Sequence, residues 1–236
     1  MIEAAFWGAF SASSLLLGAW IASRFVLPTR LVGLVMGFGA GALISAVSFD
    51  LIADAIDTGS GTGALASGIA TGALTFFIGD WYIDRRGGAN RKEIGEDRED
   101  GNASAILLGT VLDGIPESIV VGASLITGSV SAAMVAAAFI SNLPEALGAT
   151  TGLATAKTST TRIFAMWIGI VALSGASAAF GYQVLQDAAP SVGAFFQAFA
   201  AGAILTMLAD TMMPEAFDEG GKLVGLCTVL GFAVAV

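Results

Sequence analysis

Charge vanishes from this chain for twenty residues and more at a time. The stretch 163–186 contains no Asp, Glu, Lys or Arg, and 130–155 contains only Glu145. Barrel strands alternate apolar with polar residues, so uninterrupted apolar runs of this length exclude a β-barrel. One helical span takes about 20 residues, and eight such segments can be read: 4–24, 31–56, 62–84, 103–126, 130–155, 163–186, 191–216 and 222–236. Each is apolar on nearly every face, as lipid-embedded helices are. With 12% charged residues in 236, against about 25% in soluble domains, no separate soluble domain fits. The expected fold is an all-α polytopic membrane protein in which 1–236 is a single transmembrane domain. The last segment is short, and is expected to be partly exposed. The first opens at Glu3 without a basic lead-in, so it is expected to remain a membrane helix rather than be cleaved as a signal peptide.

The basic residues orient the spans. Arg24 and Arg30 flank the first connection, Arg85, Arg86, Arg91, Lys92 and Arg98 fill the third, Lys157 and Arg162 lie in the fifth, and Lys222 lies in the seventh. The even-numbered connections contain none. All ten basic residues therefore fall on one side, which the positive-inside rule assigns to the cytoplasm. Both termini are then outside, in a multi-pass cell-membrane protein embedded in lipid. The polar segment 85–102 becomes a solvated cytoplasmic loop joining the third and fourth spans. A net charge of −9 excludes nucleic acid as a default partner. The lack of histidine excludes imidazole catalysis or ligation, and the lone Cys227 excludes disulfides and thiolate clusters.

Two internal matches define the topology. GFGAGALISAVSFDLIADA (37–55) aligns without gaps on AFAAGAILTMLADTMMPEA (198–216), placing Phe38 on Phe199, Gly41 on Gly202 and Asp54 on Glu215. These segments belong to the second and seventh spans, which run in opposite directions, as in inverted-repeat transporters. LDGIPES (112–118) aligns on ISNLPEA (140–146), placing Pro116 on Pro144 and Glu117 on Glu145. Together they imply a 3+2+3 inverted-repeat arrangement around a central helix pair.

The chemistry concentrates in that pair. A carboxylate at mid-membrane costs about 2.5–3.5 kcal/mol on insertion scales. Asp113, Glu117 and Glu145 all lie well inside spans, with no Lys or Arg in either helix core. Such acids must hold protons or meet a cation. Asp113 and Glu117 are four apart and share a helix face, and Ser141 and Glu145 repeat that spacing. Asn142 adds a neutral carbonyl. Pro116 and Pro144 leave the carbonyls of Leu112 and Ile140 without their helical donors. Side-chain and backbone oxygens of this kind suit a divalent cation. Asp50 and Asp54 on one side, and Asp210 and Glu215 on the other, are candidates for a transport path. Asp80 and Asp84 read as interfacial, and Trp7, Trp20, Trp81 and Trp167 as an aromatic belt near span ends.

These residues resemble the ZIP family of divalent-metal transporters. Its members have eight spans, a variable cytoplasmic loop after the third, and proline–glutamate motifs on the fourth and fifth. Here those motifs are DGIPES and SNLPEA, while FDLIADA (49–55) and ADTMMPEA (209–216) resemble acid-bearing motifs of the second and seventh spans. The resemblance implies Glu117 and Glu145 as metal-bridging carboxylates and Asn142 as a further ligand. Asp113 and Ser141 would stand where relatives carry histidine. It also implies an alternating-access carrier without a prosthetic group, homodimeric in some relatives, moving Zn²⁺, Mn²⁺, Fe²⁺ or Mg²⁺. An all-oxygen site favours the harder ions among these. Two other functions fit buried acids: a proton-coupled carrier of an organic cation, and an intramembrane aspartyl protease. Helices four and five lack aromatics beside the acids, which disfavours an amine. Gly79-Asp80 lacks the preceding glycine of the protease motif.

Overall fold

The computed structural model describes residues 1–57, 61–85, 103–127 and 130–236. Every regular element among them is helical, and no strand occurs. In chain order the rods are α1 (Ile2–Arg24), α2 (Thr29–Asp57), α3 (Thr62–Ile83), α4 (Ala103–Ser124), α5 (Ala132–Thr155), α6 (Thr160–Leu185), α7 (190–220) and α8 (Val224–Ala235). The expected loop 85–102 lies, apart from Arg85, outside the described residues. Local chemistry sets several ends. Ser131 caps α5 by accepting from the Met134 amide (3.0 Å), Pro190 opens α7, and α7 stops at Gly221, whose φ of 68° a β-carbon would oppose.

Among the described residues, seven stretches are long and apolar enough to cross a membrane, one fewer than expected. The difference lies at the C-terminal end. The expected seventh and eighth spans form one 46-residue helical stretch, Pro190–Ala235, divided at Gly221 rather than by a polar loop. Both 213–220 and α8 pack along α2, so the chain reverses at the glycine. α8 itself has 12 residues, about 18 Å of helix, against a hydrocarbon core of about 30 Å.

Glycine sets how closely the rods approach. A β-carbon on Gly41 would lie 1.9 Å from the Thr228 carbonyl oxygen of α8, and one on Gly202 would lie 2.2 Å from the Ile69 carbonyl oxygen of α3. Reciprocally, a β-carbon on Gly231 would lie 2.0 Å from the Phe38 carbonyl oxygen, and one on Gly72 would lie 1.9 Å from that of Phe199. The residues paired by the sequence match, Gly41 with Gly202 and Phe38 with Phe199, thus make equivalent backbone contacts, α2 with α8 and α7 with α3. A second group is built from α1, α4, α5 and α6. Gly8 faces the Ser174 carbonyl and Gly175 the Ala5 carbonyl, so α1 and α6 cross backbone to backbone. Small-residue contacts of this kind are how helices associate in lipid.

The same register appears in the backbone. α2 widens into a π-helical turn at Val47–Ile52, and α7 does so at Leu208–Met212. Aligning 37–55 on 198–216 brings these two segments together. π turns inside α-helices concentrate at functional sites.

Candidate functional site

The two proline–glutamate motifs reach the middle of the bundle because their helices are clamped from behind. The Ile119 carbonyl of α4 lies 2.7 Å from a β-carbon on Gly181, and that of Ala178 in α6 lies 1.9 Å from one on Gly122. α5 is held by α1 in the same way: a β-carbon on Gly18 would lie 2.6 Å from the Leu143 carbonyl oxygen. Trp167 of α6 adds a buried hydrogen bond from its indole N–H to Thr150 Oγ1 of α5 (2.9 Å). Trp167 is 2% exposed, so it is a core residue and not part of an interfacial belt. Trp20 and Trp81 are exposed, and Trp81 stacks beneath the Arg85 guanidinium.

Both prolines sit inside continuous helices. Hydroxyls satisfy carbonyls close by: Ser118 donates to the Gly114 carbonyl (2.7 Å) and Ser141 to that of Ala138 (3.0 Å).

Glu117, Ser141 and Glu145 converge on one cavity of about 10 Å³, lined also by Met36 of α2 and by Met207 and Met212 of α7. All three polar residues are buried. A space of that size is about one water molecule's worth. The structure therefore brings together three of the five expected metal residues. Asp113 and Asn142 are buried on the same two helices but are not among the cavity's lining residues. No three Asp, Glu or Cys side chains gather into a metal-holding group among the described residues, so the expected carboxylate cluster is reduced to a pair. Its remaining walls are thioethers, which the sequence reading passed over.

The flanking acids divide between two ends. Asp50 and Asp54, at the C-terminal end of α2, line a pocket of about 320 Å³ with Ser124, Ser131 and Gln197. Ser131 donates to Asp50 and so ties the α5 N-terminus to the π turn of α2. Gln197 lies in the first half of α7, and Asp210 follows about 20 Å further along the helix. Asp210 is exposed and Glu215 half-buried, and neither is among the residues lining this pocket. The expected path acids are thus spread over both ends, with an open polar pocket beside Asp50 and Asp54.

Asp80 departs from expectation. It is 6% exposed, not interfacial, and lies next to Gly79, which faces the Leu112 side chain of α4. Gly68, Gly72, Phe76 and Asp80 form one buried stripe at four-residue spacing, a signal present in the sequence.

No family model matches the sequence, and no curated protein matches it.

Proposed function

We propose that this protein is a membrane transporter of metal cations, working by alternating access at the Glu117–Glu145 cavity. The observation that carries the reading is the convergence of two buried carboxylates, from two proline-bearing helices, on a space for a single ion. Buried acids at membrane depth mark ion pathways far more often than structure. The size of the cavity argues for an ion and against an organic cation, which would need room for a carbon skeleton. Asp50 and Asp54 supply a negative approach from one end, where fixed charge raises the local cation concentration.

The finer topology belongs to the same proposal. Gly221 separates α7 and α8 as two membrane-inserted rods, which gives eight segments in a 3+2+3 inverted repeat resembling ZIP transporters. Register-matched π turns and glycine crossings support the repeat. The segregated basic residues support cytoplasmic odd-numbered connections, with both termini outside the cytoplasm in a cell membrane.

The test is uptake of divalent metals into proteoliposomes containing the full chain. Glu117→Gln and Glu145→Gln should each lower uptake by at least about 100-fold, beyond the 10–100-fold typical of outer ligand partners, with insertion and monodispersity retained. Uptake at the parent rate in both variants would remove the cavity from the transport path.

A further inference from the structure

The central cavity is walled by more sulfur than charge. Met36, Met207 and Met212 are 1%, 3% and 4% exposed, and all three line the space shared by Glu117, Ser141 and Glu145. Met212 is placed most closely. Its terminal methyl lies 3.3 Å from the point a β-carbon on Gly39 would occupy, and the Ser141 Cα lies 3.1 Å from that same point. The side chain therefore ends where α2 meets α5, beside the Ser141 backbone.

Methionine is also a common filler of irregular cores, and the internal repeat separates the two roles. In the register that aligns the halves, Met36, Met207 and Met212 correspond to Gln197, Ala46 and Leu51. None of the counterparts is methionine, so the shared backbone does not require thioethers at these places. The chain has seven methionines, and three of them, from two helices far apart in sequence, meet at one ion-sized space.

A thioether is a neutral, polarisable donor that favours soft metal ions over hard ones. It has no proton to lose, and it displaces the waters that Mg²⁺ keeps in its coordination shell. We propose that the cavity formed by Met36, Glu117, Ser141, Glu145, Met207 and Met212 takes a thiophilic d¹⁰ cation of the Cu⁺ or Cd²⁺ class in preference to Mn²⁺ or Mg²⁺. This deepens the transport reading and rests on it. It also reverses the expectation of an all-oxygen site, because the sulfur comes from outside the proline–glutamate motifs.

Cd²⁺ and Mn²⁺ carry the same charge, so their relative affinity reports donor softness. Binding of each is measured on the full chain in detergent, carrying Cys227→Ser to remove the only thiol. The expected result is Cd²⁺ bound at least about 100-fold more tightly than Mn²⁺, which is about 2.7 kcal/mol. The triple variant Met36→Leu, Met207→Leu, Met212→Leu should lower Cd²⁺ affinity at least about tenfold, or about 1.4 kcal/mol, and lower Mn²⁺ affinity far less. Cadmium-edge X-ray absorption on the parent at one equivalent reads the ligands directly and does not depend on the variant folding. Cadmium–sulfur scattering is expected. An oxygen-only shell, an unchanged affinity ratio in a folded triple variant, or no Cd²⁺ binding would each overturn the inference. Glutamate-dependent uptake with an oxygen-only shell would sink the sulfur site and leave the transporter standing. Sulfur ligation without uptake would do the opposite.

Discussion

The two halves of the internal repeat put one backbone to two different uses. Around the first π turn, Asp50 and Asp54 line a polar pocket of about 320 Å³ with Gln197. In the second half the matching positions are Thr211 and Glu215, and the counterpart of Gln197 is Met36. Where the first half has Ala46 and Leu51, the second has Met207 and Met212, which help close a cavity of about 10 Å³ over the two glutamates. Register and glycine contacts are thus shared, while the side chains at equivalent places decide between a wide polar pocket and a small methionine-lined one. A repeat fixes where the backbone departs from regular helix, and substitution within it gives matching places unlike surroundings.

The shared part is the most sensitive to change. Gly72→Ala and Gly231→Ala would each drive a β-carbon into a carbonyl oxygen on the facing helix, at 1.9 and 2.0 Å. Overpacking of this severity should cost about 3 kcal/mol, read by unfolding in mixed micelles. A similar loss in both supports the equivalence of the α3–α7 and α2–α8 crossings, and tolerance of only one would break it. The unlike part should appear in transport. Asp50→Asn with Asp54→Asn should slow uptake about fivefold at low salt, through loss of attraction at the pocket mouth, with the effect shrinking as salt is raised. Asp210→Asn should change the rate less than about twofold, because Asp210 is exposed and outside that pocket. Equal effects at both ends would mean that the pocket contributes nothing to cation access. A change in stability rather than rate is expected of Ser131→Ala, which removes the α5 cap and the hydrogen bond to Asp50. It should cost about 1 kcal/mol of stability.

Much of the helical layout was legible because lipid imposes an unmistakable pattern: long runs without charge, and acids that stand out against them. In the alignment of 37–55 on 198–216, Gly41 with Gly202 and Phe38 with Phe199 are pairs that make equivalent contacts. Three things escaped for separate reasons. The boundary at Gly221 carries a positive φ and no polar loop, so the last two expected segments merge into one helical stretch by length and hydropathy. The π turns have no composition of their own, and only their coincidence with Asp50 and Asp210 hints at them. The methionine walls were invisible because hydropathy counts a thioether as one more apolar side chain, and nothing local links Met36 to Met207. Asp80 is a different case. Its stripe with Gly68, Gly72 and Phe76 was readable, but proximity to the end of α3 argued for the interface. Trp167 also lies near a span end, but its hydrogen bond to Thr150 joins two helices and cannot be seen along one.

The glycine crossings have a thermal consequence. Where Gly41, Gly72, Gly202 and Gly231 bring rods together, the contact is backbone against backbone. In lipid there is little water to expel on docking, so association of this kind draws on dispersion and close fit. Attraction of that origin does not fade on cooling, as hydrophobic burial in water does. The pairs α2–α8 and α3–α7 are therefore built to hold in the cold, in a solvent whose own stiffness changes with temperature far more than theirs.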